Sequence, residues 1–255
     1  MGLLIQFLLR LSFGLAAGMA ITSSTKVTSG YFRNHLYVTL GLATFAAFLS
    51  RTTGLSSFWP AVFAAGMSYL GSVFWLYEKP KIGRAALVLV SLSALVGSQL
   101  ASAELFSSAT PIESSFASVL RQIAPISSGL LLGITMASML LGHWYLNSPT
   151  MEMVPLRRLL VAMAIATGLQ IVIAGLGLWG EITHADQFAT SLVMFATLRW
   201  AFGLVGVAVL TWMTWKTLDI PNTQSATGLL YVAVIGTFVG ETMGLLLSSE
   251  SLFPL

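Results

Sequence analysis

The sequence contains no cysteine, and only 8% of its 255 residues are charged. Without cysteine there is no disulfide, no covalent c-type haem attachment and no thiolate-held iron–sulfur cluster within the chain. A soluble domain carries about 25% charged residues, so this charge content excludes a soluble enzyme, a disordered protein and a nucleic-acid-binding domain. The net charge is +3 and the pI is near 9.4. The 12 Lys and Arg are scattered and form no patch for an acidic polymer. Catalytic signatures are missing as well. There is no Gly-Lys-Ser/Thr phosphate loop, no HExxH, no GxSxG and no acidic run suited to cation coupling. Ser and Thr are abundant, but no base is placed to activate one, so no catalytic residue and no metal site is assigned.

What is present is apolar. Hydrophobic residues make up 56% of the chain, and the mean hydropathy is +0.86. A helix needs about 20 mostly apolar residues to cross the hydrocarbon core. Stretches of that kind run over Leu3–Thr22, His35–Ser50, Ser57–Tyr77, Ile82–Ala101, Ile126–Asn147, Leu156–Trp179, Ser191–Trp215 and Ala226–Ser248, the second being short. They are continuous and too long for the alternating strands of a barrel. Met1–Ala20 lacks the basic start of a signal peptide and reads as a permanent span. The expected fold is all-α: a polytopic membrane protein of eight transmembrane helices, forming one membrane domain over 1–255. Its halves, 1–101 and 126–255, are joined by an outer segment 102–125, where Phe116, Val119, Leu120 and Ile123 recur at the spacing of an amphipathic surface helix.

Charge sets the expected orientation. The loops after spans 1, 3, 5 and 7 hold Lys26, Arg33, Lys79, Lys81, Arg84, Arg157, Arg158 and Lys216, whereas the other loops and tails hold only Arg51 and Arg121. Positive loops stay in the cytoplasm, so both termini face outward from a bacterial-type inner (cell) membrane. Glu104, Glu113, Glu181, Asp186 and Glu250 then lie outside, with His184 solvated in the outer loop EITHADQ.

Ionisable residues inside a membrane are expensive, so each is a candidate site. Arg10, Arg199 and Glu241 all fall about 10–12 Å below the outer boundary at about 1.5 Å per residue. Arg199 and Glu241 sit at matching depth on the last two, adjacent spans, which predicts an ion pair. Gln170 reaches a similar depth. Two readings of this group stay open: a bridge that fixes helix packing, or an outer-leaflet pocket for a quinone headgroup or a proton. His35 and His143 lie near the cytoplasmic face on different helices. They are candidate axial ligands of a b-type haem, or they cap helices and meet headgroups; stoichiometric haem is not expected from one shallow pair. Arg157 and Arg158 begin the sixth span and suit topological anchoring, anionic headgroups or a cytoplasmic partner. Gly236, Gly240 and Gly244, Gly14 with Gly18, and Gly129 with Gly133 repeat at four-residue spacing, the pattern of closely packed helices.

The last two spans read TLRWAFGLVGVAVLTWMTWKTL and LLYVAVIGTFVGETMGLLL. This is similar to the end of the membrane-anchor subunits of dimethyl-sulfoxide-reductase-type molybdenum enzymes. They place an Arg early in the penultimate helix and Gly-Glu-x-x-Gly in the last, matched here by Arg199, Gly240, Glu241 and Gly244. The likeness extends loosely to the LLLGITMASMLLGHWYL and PLRRLL segments. It implies eight helices with both ends outside and a quinone-facing anchor within a respiratory-type redox complex. The family's His-Leu-Gly motif after the second helix is not found; the region reads FLSRTTGLSS, which argues against quinol binding at the family's usual place. The expected function is an integral membrane anchor that holds partner subunits, contacts quinone and is non-catalytic or quinol-oxidising. The alternatives are a secondary transporter or channel using the Arg/Glu site, and a haem b membrane protein.

Overall fold

A computed structural model describes residues 1–107, 115–148, 151–184, 190–220 and 222–255. Among them the chain is helical apart from its turns and the last residues, with no strand. The helices are α1 (Gly2–Ile21), α2 (Ser29–Thr53), α3 (Phe58–Leu76), α4 (Pro80–Ser107), α5 (Ser115–Asn147), α6 (Val154–His184), α7 (Thr190–Leu198), a π-helical stretch (Arg199–Gly206), α8 (Val207–Thr217) and α9 (Thr223–Glu250). From α7 to α8 the backbone is one continuous rod. Gly54 ends α2 in the left-handed region at φ 72°, where a side chain would be strained. Asn222 begins α9 by accepting a hydrogen bond from the Ser225 N–H at 3.0 Å.

Seven of these rods are long and apolar enough to cross a membrane. The α2 helix has 25 residues, but its apolar positions are interrupted by Arg33, Asn34, His35 and Arg51, and it is not among the seven. Large apolar side chains stand out from the bundle, among them Phe48, Trp59, Ile165, Trp179, Phe202, Trp212 and Ile235. In water such a surface would be untenable; against lipid it is ordinary.

The α1 helix lies at the centre, packed on α2, α4, α5 and α9. Its approach to α5 depends on glycine. A Cβ on Gly14 would run into the carbonyl of Gly129, and one on Gly133 into the backbone of Gly14 and Leu15. The α9 stripe does the same work against the preceding rod, in antiparallel register: Gly236 under Phe202 and Val207, Gly240 on Gly203, and Gly244 under Arg199. Small residues on both sides let backbones touch, which is how helices gain packing energy in lipid.

Hydrogen bonds tie the turns into two ends. At one end Lys26 meets Glu152 at 2.5 Å, Arg84 donates to Ser24 at 2.9 Å, Trp144 to Thr28 at 2.9 Å, and Arg157 to the carbonyl of Leu218 at 2.7 Å. This gathers the basic loops. At the other end the amide of Ser56 donates to Glu104, and Arg121 donates to the carbonyl of Leu252 at 2.8 Å.

One expectation is corrected. Phe116, Val119, Leu120 and Ile123 do not form a separate surface helix. They continue α5 through Pro125, which lies inside a 33-residue helix. Leu120 is buried with Ile173 and Phe253, while Phe116, Val119 and Ile123 face outward. An apolar stripe reads the same whether it lies on a membrane or on a neighbouring helix. Glu113, Asp186 and the rest of the 108–114 and 185–189 segments lie outside the described residues, as does the side chain of His184.

Candidate functional site

The expected partner of Glu241 is Arg199; the observed one is Arg10. Arg10 Nη1 donates to Glu241 Oε1 at 2.6 Å and to Ser128 Oγ at 3.0 Å, and its Nη2 donates to Gln6 Oε1 at 2.8 Å. Both charged side chains are buried. The reason is position in the fold: α1 runs through the centre beside α5 and α9, so Arg10 reaches Glu241 from a helix that is remote in sequence. Matching depth does bring these residues together, but three of them share that depth and depth alone does not choose the pair.

Arg199 opens the π-helical stretch, a rare geometry that recurs at functional sites. Its guanidinium lies across Gly244, at the place where a Cβ would stand. The residue is 6% exposed, its Nε has no hydrogen-bond partner, and no carboxylate among the described residues pairs with it. Glu241 lines the same small space as Arg199, but its ion pair is with Arg10.

These residues border a polar cavity toward the Arg121 end of the bundle. Arg10, Ser128, Gln170, Arg199 and Gly244 line it, with Arg121 beyond them. Its room is small, about 20 Å³, enough for one or two water-sized groups. A second, smaller space continues from Ser128, Gln170 and Arg199 to Glu241 and Thr237. Gln170, singled out for its depth, lines both; its Oε1 accepts a hydrogen bond from Ser127. Thus Arg10, Arg199, Glu241 and Gln170 are brought together, although the pairing among them differs from the expected one.

The cavity has a roof that sequence reasoning missed. After α9 the chain turns back, and Pro254 and Leu255 line the cavity. Glu181 Oε2 accepts from the amides of Leu252 and Phe253, both at 3.1 Å, while Arg121 donates to the carbonyls of Ser251 and Leu252. Gly177 and Gly180 on α6 give the returning segment room: a Cβ on either would meet Pro254 or Phe253. Glycines in a span are the only sequence trace of this contact, and they are common in spans for other reasons.

Beside the cavity, α6 and the α7–α8 rod are splayed. Leu178, Ile182, Leu192, Val193, Ala196 and Trp200 line an apolar groove of about 580 Å³, open to the outside of the bundle. The Trp200 ring reaches across to Gly175, adjacent in sequence to Ala174, which lines the cavity.

The histidines lie elsewhere. His35 is buried, and its ring nitrogen Nδ1 donates to the carbonyl of Tyr31 at 2.6 Å, with the Tyr31 and Trp144 rings against it. His143 is exposed and shares a hydrogen bond with the Tyr231 hydroxyl at 3.2 Å. Arg157 is engaged with Leu218, Asp219 and the Trp215 ring, 5.1 Å from the centroid. Arg158 is exposed next to it. Among the described residues no group of three or more His, Cys, Asp or Glu is placed to hold a metal ion.

No protein family, no curated protein and no solved structure matches this chain. The resemblance to molybdenum-enzyme anchor subunits therefore stands on the quoted motifs alone.

Proposed function

We propose that this chain is an eight-span integral membrane subunit of a respiratory-type redox complex, with α1–α4 and α5–α9 as two four-span halves and both termini outside. In this reading α2 is the eighth span, packed against α1 and α3. The subunit holds cofactor-bearing partners and offers them quinone.

The observation that carries the reading is Arg199: a buried guanidinium whose Nε has no acceptor among the described residues, near an apolar groove that opens to the outside of the bundle. A quinone presents an apolar ring and chain together with carbonyl oxygens that only accept hydrogen bonds. The groove suits the former and Arg199 the latter. The cavity is too small for the ring, so only a carbonyl oxygen enters it, past Trp200. Oxidation of a quinol there releases two electrons and two protons. The electrons pass to a partner's cofactor, since this chain has no cysteine to hold a cluster. No haem belongs to the chain in this reading.

The test uses the purified chain in nanodiscs, with a short-chain quinone titrated against tryptophan fluorescence. Saturable quenching that weakens at least tenfold in both Arg199→Leu and Trp200→Ala supports the reading. Equal quenching in wild type and both variants overturns it. Isolation of the protein from native membranes without cofactor-bearing subunits overturns the anchor role separately.

A transporter using the same residues is the second reading. It is favoured by the two spaces that run in series from the Arg121 end to Glu241. Uptake by proteoliposomes free of partner subunits distinguishes it.

A further inference from the structure

We infer that the cavity at Arg199 is a binding site for one small monovalent anion, of halide or formate size. The inference does not depend on quinone binding. If a quinone carbonyl also reaches the cavity, it competes with the anion for the same donors.

The charge count comes first. Three guanidinium groups border the cavity: Arg10, Arg121 and Arg199. Arg10 has Glu241. Arg121 has tail carbonyls and lies within the field of Glu181. Arg199 borders the same small space as Glu241, but among the described residues it is paired with no carboxylate or carbonyl, and its Nε is unpartnered at 6% exposure. Guanidinium does not lose its proton in proteins, and an isolated buried charge is strongly unfavourable. A water molecule can fill the space, but it cannot neutralise the charge.

The lining points the same way. Ser128 Oγ accepts from Arg10, leaving its own O–H to donate. Gln170 accepts from Ser127 through Oε1, leaving its amide nitrogen as a donor. With Arg199, the cavity thus offers donors from three helices. Gly244 keeps the place of the guanidinium open, since any side chain there would displace it. The room, about 20 Å³, is that of one or two water-sized groups, which matches a halide or formate better than sulfate or a larger carboxylate. Pro254 and Leu255 line the cavity on the tail side, and such apolar lining lowers the local dielectric, which strengthens the attraction.

A carboxylate carried at Leu255, in the roof, is the rival counter-charge. The experiment therefore includes a form extended by a short Gly-Ser tail. Purified protein in nanodiscs is dialysed into gluconate, an anion too large to enter, and equilibrium binding of radioactive chloride is measured. The expected result is one saturable site per chain in both forms. Binding should weaken at least tenfold in Arg199→Leu and in Gly244→Ala, and stay unchanged in the distant Lys81→Ala. Gly244→Ala and Gln170→Leu carry the test if Arg199→Leu does not fold. Absence of saturable binding overturns the inference, as does binding that ignores both Arg199 and Gly244. Binding that appears only in the extended form also overturns it, since the tail carboxylate then fills the role. Quinone quenching in gluconate reads the other proposal independently: chloride binding without quenching removes the quinone site alone, and the reverse removes the anion site alone.

Discussion

Arg10 and Glu241 stand 231 residues apart in sequence and form a buried 2.6 Å ion pair that joins the first helix to the last. Removing one partner leaves an uncompensated charge, which costs about 3–5 kcal/mol in a buried pair. Arg10→Leu and Glu241→Leu should therefore each lower the midpoint of thermal unfolding in detergent sharply. The double variant should recover much of the loss. Arg199→Leu combined with Glu241→Leu should show weaker recovery, because those two do not form the pair. Strictly additive losses for Arg10 and Glu241 would show that the contact contributes nothing.

Much of the helical layout was legible in the sequence. Continuous apolar runs locate the seven rods long and apolar enough to cross a membrane, because spanning lipid demands length and hydrophobicity and little else; α2, broken by charges, is not one of them. The glycine stripes were legible as packing surfaces for a similar reason: close approach has only one chemical solution. The pairing of Glu241 was not, since depth is written along the chain but the neighbour is not. Ser128 is one hydroxyl among many. The buried return of Ser251–Leu255 leaves no periodic signal at all, because it is made of tail amides meeting Glu181 and Arg121.

The α1–α5 crossing should be intolerant of a single methyl group. Gly14→Ala and Gly133→Ala each place a Cβ onto backbone atoms, which have no rotamer with which to yield. Overpacking of this kind costs about 1–3 kcal/mol. Gly41 faces open space, so Gly41→Ala should be neutral or slightly stabilising, by about 0.5–1 kcal/mol, through helix propensity. Thermal unfolding of the three variants side by side separates packing from composition.

Orientation has a direct test, since the chain has no cysteine to interfere. Single substitutions Lys79→Cys and Arg157→Cys should resist an impermeant maleimide added to intact cells. Glu250→Cys should react. The basis is the excess of Lys and Arg at one end of the bundle, where Lys26, Arg84 and Arg157 are found together. The opposite labelling pattern would invert the protein and place the Arg199 cavity toward the cytoplasm.

A dithionite-reduced spectrum of the purified chain should lack a sharp b-type alpha band. Haem ligation requires an open face beside the ligating nitrogen, and His35 is 8% exposed with the rings of Tyr31 and Trp144 packed on it. A band that is present in wild type and lost in His143→Ala would overturn this expectation.

The roof over the cavity should open when Glu181 is lost. One carboxylate oxygen of Glu181 accepts the amides of Leu252 and Phe253. Hydrogen bonds to a charged group contribute about 1.5–3 kcal/mol each. Losing even one such contribution raises the open population about tenfold or more, at about 1.4 kcal/mol per factor of ten. Ser128→Cys places a thiol in the cavity wall as a reporter. With the roof intact it should react slowly with a small methanethiosulfonate. With Glu181→Ala added, the rate should rise by about that tenfold, since the roof keeps Arg121, the Leu255–Ser248 hydrogen bond and the Phe253 packing but loses both carboxylate contacts. Chloride, if it binds at Arg199, should slow the reaction in both backgrounds by occupying the same space. An unchanged rate in Glu181→Ala would mean that Arg121, Ser248 and the burial of Phe253 keep the tail in place without Glu181, and that this carboxylate serves the helices rather than the cavity.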